Sequence, residues 1–223
     1  MISKLLDEIY QRMLSHFGPQ KWWPAETPFE MMVGAILTQN TNWKNVEKAI
    51  QNLKLHHLMD AQKLYEISPE YLSQMIKPAG YYNLKANRLK NWVRFLIEDY
   101  QEDLDKMKNE PLSFLREKML QVKGVGPETV DSILLYALHF PIFVIDQYTY
   151  RILSRHFLIS EDAQYDEMQT FMMNSLALDV ELFNEYHALI VAVGKNYCKK
   201  KPHCELCPLN GFNGHQPPTI EST

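Results

Sequence analysis

Lys123-Gly124-Val125-Gly126-Pro127 stands between two segments of helical spacing, Phe114 to Val122 before it and a longer one running to about His139 after it. Two glycines within three residues turn the chain, and Pro127 falls where a first helical residue is favoured, because its missing N–H would have no partner there anyway. The pattern predicts a helix, a hairpin and a second helix. Such a hairpin has a chemical use. Without Cβ atoms the backbone can approach a phosphate closely, and the amides of the hairpin and of the new helix N-terminus point at it from the favourable end of the dipole. It would grip a nucleic-acid strand without reading bases. A plain turn between two helices would carry the same residues.

Working outward, apolar stripes of period near 3.6 recur along the chain: Leu5, Ile9 and Met13; Phe29, Met32, Val33, Ile36 and Leu37; Val46, Ala49, Ile50 and Leu53; Ala86, Leu89, Val93 and Leu96. Tyr71, Leu72 and Met75 form a shorter one, Glu98 to Glu110 reads as an acidic connection, and Asp166 to Leu178 and Phe183 to Val193 read as the last two helices. With only 8 glycines and short β-branched runs, the chain lacks the turns and strands of a β protein. The fold class expected is all-α.

Hydrophobic residues at 46% and charged residues at 22% match folded globular chains and exclude a disordered one. Asp7 and Glu8 interrupt the start where a signal peptide needs an apolar core, and no apolar run reaches the length of a membrane span, so the expectation is a cytoplasmic protein with no membrane association. The net charge of −4 would count against nucleic acid, but it conceals a segregation. Tyr71 to Ile97 carries five bases and no acid, Gly194 to His203 carries Lys195, Lys199, Lys200 and Lys201 and no acid, and His156 to Val193 carries seven acids and no Lys or Arg. One face can then attract phosphates while another repels them. All three cysteines, Cys198, Cys204 and Cys207, fall within ten residues, which favours metal or cluster ligation over a disulfide framework.

About twenty residues after the hairpin, Phe143-Val144-Ile145-Asp146-Gln147-Tyr148 ends an apolar approach in one carboxylate. Such an acid is either a catalyst or a helix N-cap. Hairpin and acid together resemble the helix-hairpin-helix superfamily of DNA glycosylases, through Gly124, Gly126, Pro141 and Asp146. Leu37-Thr38-Gln39-Asn40-Thr41, Gly80-Tyr81-Tyr82-Asn83-Leu84-Lys85-Ala86, and His187 with Gly194-Lys195-Asn196-Tyr197-Cys198 resemble segments of its endonuclease III group, so the likeness covers nearly the whole chain. Trp22-Trp23-Pro24 ahead of Leu37-Thr38-Gln39-Asn40-Thr41 and Trp43 is similar to the alkylbase-excising branch, 3-methyladenine DNA glycosylase III.

The resemblance implies two helical domains with a DNA-binding cleft between them: a six-helix barrel over residues 27–140 carrying the hairpin, and a second domain from residues 1–26 and 141–223 with a C-terminal Cys-rich loop. It implies Asp146 as the catalytic residue, and Trp22, Trp23, Pro24 and Trp43 as the pocket for the extruded base. A base alkylated on a ring nitrogen is cationic, and an indole face attracts it by roughly 0.5 to 2 kcal/mol. Gln39 would enter the gap left by that base and Tyr81 would wedge the opposite strand, while Lys85, Lys123, Gly124, Val125, Gly126, Lys199, Lys200 and Lys201 would contact DNA. The partner implied is double-stranded DNA holding a damaged base, bound by a monomer. A monovalent cation could sit on hairpin carbonyls near Leu120, Val122 and Val125 when DNA is bound.

Two departures matter. Bifunctional members place a Schiff-base lysine two residues after the second hairpin glycine, where this chain has Glu128, so the expectation is hydrolysis by water without strand cleavage. The family's [4Fe–4S] cluster needs four cysteines, and here Cys198, Cys204 and Cys207 lack a fourth, with Asn213 in its place and His215 nearby. A cluster completed by His215, a zinc site with His203 or His215, and a degenerate loop are the alternatives, the cluster being favoured. Two rival functions stand beside this reading: an endonuclease III-like glycosylase and lyase for oxidised pyrimidines, and a non-catalytic DNA-binding protein.

Overall fold

The computed structural model describes residues 2–22 and 25–212. Among the described residues twelve α-helices follow one another: α1 (Ile2–Phe17), α2 (Pro28–Leu37), α3 (Trp43–Leu55), α4 (Ala61–Glu66), α5 (Pro69–Met75), α6 (Tyr82–Tyr100), α7 (Leu104–Lys108), α8 (Leu112–Leu120), α9 (Pro127–Tyr136), α10 (Gln147–Arg155), α11 (Tyr165–Ser175) and α12 (Val180–Asn196). Short 3-10 turns cover Lys77–Ala79 and Cys204–Leu206, and no strand occurs among the described residues. The all-α expectation holds. No described helix is long and apolar enough to cross a membrane.

Helix starts follow from local chemistry. Thr27, Asn42, Asp60, Ser68, Asp103, Asp146 and Asp179 each accept a main-chain N–H of the first turn with a side-chain oxygen. Two helices escaped the periodicity. α4 and α7 are so short that each buries only one or two apolar side chains, Ala61 and Leu64 in one and Met107 in the other. A single turn leaves no repeating stripe to find. The segment expected to be helical to His139 ends at Tyr136, because Leu138 and Phe140 donate back to Ile133 and Leu134 in a tight C-terminal turn with His139 at φ +59°.

The chain divides into two compact units, residues 23–140 and residues 1–22 with 141–223. In the first, Met32, Val33, Ile36, Leu64, Leu89, Trp92, Val93, Leu115, Ile133 and Leu134 are fully buried. In the second, Leu6, Met13, Phe143, Val144, Met172, Phe183, Tyr186 and Leu189 form the core. Each large apolar side chain so buried contributes roughly 1.5 to 3 kcal/mol, which offsets the ordering of the chain. Two buried polar side chains of the second unit reach main-chain acceptors: the Tyr186 hydroxyl donates to the Leu6 carbonyl at 2.9 Å and Gln169 Nε2 to the Phe143 carbonyl at 2.7 Å.

Candidate functional site

In the unit of residues 23–140, the hairpin between α8 and α9 is tied down from behind. Gly124 has φ +94°, and a Cβ there would lie 2.5 Å from Cγ of Arg88, so glycine is required twice over. Gly126 has φ −102°, and a Cβ there would meet nothing within 4 Å, so the fold itself places no demand for glycine at that position. Lys123, Gly124 and Gly126 are exposed, whereas the Val125 side chain is buried, so only its main chain can face a strand. The Val122 carbonyl accepts the Val125 amide at 3.1 Å, which closes the turn.

Gln39 belongs to the same constellation. Its Nε2 donates to the Gly124 carbonyl at 3.3 Å and to Thr129 Oγ1 at 3.0 Å, and its Oε1 accepts from Arg88 Nη1. Asn91 donates to the Lys123 carbonyl at 2.9 Å. The segment following α2 and the hairpin are therefore one hydrogen-bonded assembly, and Arg88, Asn91 and Thr129 are parts of it that no motif revealed. Tyr81 is 68% exposed at the start of α6 and holds φ +46°, and Asn40 holds φ +53°. Non-glycine residues in that region are uncommon and cost of order 1 kcal/mol or more unless their surroundings impose it.

Lys85 corrects an expectation. Instead of facing DNA it is 1% exposed, its ammonium donating to the carbonyls of Leu37 at 2.9 Å and Ala79 at 2.8 Å. Those carbonyls end α2 and the 3-10 turn, one just ahead of Gln39 and the other just ahead of Tyr81, and a buried lysine is the donor that satisfies both. Burial, and then the Arg88 charge, push this lysine down to about 8. Trp43 is partly exposed on the first turn of α3, where its Nε1 donates to Glu47 Oε1 at 2.8 Å.

In the other unit, Asp146 caps α10: its Oδ1 accepts the Thr149 amide at 2.7 Å and the Thr149 hydroxyl at 2.9 Å. Both meanings of a carboxylate at this place are thus open together, since capping occupies Oδ1 and leaves Oδ2. Oδ2 lies 3.6 Å from His187 Nε2. Burial by itself would push the Asp146 carboxyl up; the His187 imidazole beside it, then the two Thr149 bonds, outweigh it and hold the group below the usual carboxylate range. The ring of Trp22 packs on His187 at a centroid distance of 5.2 Å. Asp146, His187 and Trp22 so form one cluster. Trp23 and Pro24 lie outside the described residues.

Cys198, Cys204 and Cys207 line one cavity with Ile152, Arg155 and Leu209. The expected cluster finds no support in this arrangement. Among the described residues no three His, Cys, Asp or Glu side chains are grouped to hold a metal ion. Arg155 Nη1 donates to Cys198 Sγ at 3.2 Å, and burial pushes the Cys204 thiol up and the Cys207 thiol to about 11. Asn213 and His215 lie outside the described residues. The loop is instead pinned by main-chain acceptors: Arg151 donates to the Cys198 carbonyl at 2.8 Å, and Arg155 to those of Lys199 at 2.7 Å and Lys200 at 3.2 Å. Lys199, Lys200 and Lys201 remain exposed. Both arginines come from α10, the helix that Asp146 caps.

An all-α chain with a glycine hairpin between two helices and a capping, ionised Asp on the following helix defines a class of DNA-acting proteins. Residues 33–177 match the model of the HhH-GPD superfamily base excision DNA repair protein. A protein of Methanocaldococcus jannaschii named "Putative DNA repair glycosylase MJ1434" is 48% identical over 211 residues, covering 94% of this chain and 96% of that one. The crystal structure of H. pylori 3-methyladenine DNA glycosylase (MagIII) bound to 1,N6-ethenoadenine is similar at TM-score 0.72 and 30% identity, over 87% of this chain and 96% of that one. A non-covalent endonuclease III–DNA complex shares the fold at TM-score 0.80 and 21% identity, over 94% of each chain. The chain belongs to the HhH-GPD superfamily and is a DNA glycosylase of base excision repair, with DNA as its partner.

Proposed function

We propose that this glycosylase hydrolyses the N-glycosidic bond of alkylated purines such as 3-methyladenine and leaves the abasic strand uncut. The observation that carries the reading is the Asp146–His187–Trp22 cluster, in which an oriented carboxylate and an indole flank one imidazole. The bond between C1′ and the base nitrogen breaks with its electron pair leaving on the cationic base, which departs neutral; positive charge develops on the sugar; water adds its oxygen to C1′ and passes its proton to a second water molecule. A carboxylate held below its usual range is a weak proton acceptor and a good anion, so Asp146 serves mainly to stabilise the oxocarbenium-like sugar. The indole of Trp22 offers a face to the extruded base, and a cationic alkylpurine gains both stacking and cation–π attraction there. The likeness to a 3-methyladenine glycosylase bound to a modified adenine supports a purine as the substrate.

Lys123, the open hairpin at Gly126 and the lysines at 199–201 would hold phosphates, Gln39 would leave its hairpin bonds to fill the gap, and Tyr81 would wedge the other strand. Glu128, exposed on the first turn of α9, has no amine with which to form a Schiff base. Release of base from duplexes that each carry one lesion, measured in single turnover, tests the substrate. Free alkylpurine with an alkali-labile strand is expected. Release of oxidised pyrimidine with direct nicking would establish the lyase rival, and tight binding without release the non-catalytic one.

A further inference from the structure

His187 lies on the buried stripe of α12 that also presents Phe183, Ile190 and Gly194. A polar ring among apolar neighbours is unfavourable unless something compensates it, and the compensation comes from α10. Gly194 allows that: a Cβ there would overlap the ring of Tyr148, two residues after Asp146, so the glycine lets the start of α10 seat directly on α12. The seating brings Asp146 Oδ2 to 3.6 Å from His187 Nε2, a polar contact longer than a hydrogen bond. Oδ1 is committed to Thr149, so Oδ2 is the oxygen left for the reaction. Trp22 covers the same imidazole.

Four other charged or titratable groups on the packed elements have partners of their own. Glu185 of α12 accepts the Gln20 amide at 2.6 Å, Asp7 of α1 acts on Tyr186, Tyr10 stacks on Tyr186, and Arg151 of α10 holds the Cys198 carbonyl.

We propose that His187 is a positioning residue for base release, its imidazole lying between Oδ2 of Asp146 and the indole of Trp22 and holding each in place relative to the other. The inference rests on the reading of Asp146 as the catalytic carboxylate. It assigns the histidine no contact with substrate; it acts through the two residues it touches.

The test uses the full chain and a duplex carrying one 7-methylguanine, with duplex affinity and single-turnover rate measured separately. His187→Leu should leave duplex affinity within about twofold and lower the single-turnover rate roughly tenfold, because Oδ2 and the indole are no longer held by a common neighbour. His187→Gln, which keeps a polar side chain at that place, should recover part of the rate. Parallel losses of affinity and rate, or no loss at all, would overturn the proposal. Should the Leu variant not fold by circular dichroism, the Gln variant decides: a smaller rate loss at unchanged affinity is expected, and a parent-like rate or a matching loss of affinity overturns the proposal. Parent-like rates in Asp146→Asn would defeat the reading of Asp146 instead, and would take this role for His187 down with it.

Discussion

Gly124 and Arg88 occupy adjoining space: the α-carbon of the hairpin glycine faces the arginine side chain so closely that a methyl group would meet its Cγ at 2.5 Å. Arg88 in turn holds Gln39, and Gln39 holds the Gly124 carbonyl. The hairpin and the segment proposed to enter DNA therefore share one support.

The two hairpin glycines should behave differently. Gly124→Ala, at φ +94° and against Arg88, should cost roughly 1 to 3 kcal/mol of stability in urea unfolding. Gly126→Ala should change stability by less than about 0.5 kcal/mol, yet weaken binding to damaged and undamaged duplexes alike, because the added methyl meets only an incoming strand. Binding by the parent should also fall steeply with salt. Unchanged duplex affinity in Gly126→Ala would show that no phosphate rests on this glycine.

Asp146→Asn should separate capping from chemistry. Asn caps helices about as well as Asp, so the melting temperature should stay near the parent's while base release falls at least ~100-fold. Comparable loss of both would make the residue structural.

Lys85→Met should leave the Leu37 and Ala79 carbonyls without their donor, a cost of roughly 1 to 3 kcal/mol. The pH dependence has a definite sign. With its folded value lowered to about 8, Lys85 binds fewer protons folded than unfolded between about pH 8 and its ordinary value near 10.5. Its contribution to stability therefore rises across that interval. Parent-minus-variant unfolding free energy, measured at pH 7.5, 8.5 and 9.5 (roughly that window), should increase; a flat or falling difference would show that the carbonyls keep the ammonium protonated.

Trp22→Leu keeps apolar volume but deletes the negative ring face, so excision of a cationic alkylpurine should drop by roughly 0.5 to 2 kcal/mol in transition-state terms. Excision of neutral hypoxanthine, where detectable, should drop less. Equal losses would mark the indole as packing for His187 alone.

Borohydride should trap no covalent complex on damaged or abasic duplex, since Glu128 stands in the lysine's place. A trapped adduct, mapped by peptide mass, would identify the amine that has taken the role.

Local chemistry made much of this protein legible in advance. The helices with long apolar stripes, the hairpin glycines, Pro127 and the capping Asp146 are set by interactions within a few residues, which a linear sequence displays. What escaped was either too short to repeat, as in α4 and α7, or assembled from distant parts. Lys85 read as one more base in a basic segment because charge is visible in sequence and burial is not. The spacing of the cysteines is visible in sequence, whereas the arginine that meets Cys198 comes from residue 155 and is not.

The sequence by itself determined an all-α chain with a glycine hairpin between two helices and a carboxylate at a helix start, because caps, turns and helical period are local. Only the tertiary structure decided which partners those residues meet: Gly194 admitting α10 against α12 so that Asp146 faces His187, Arg88 behind Gly124, and Lys85 between two helix ends. Those pairings depend on packing between segments tens of residues apart, and packing is settled by shape and burial across the whole unit, not by any stretch of sequence alone.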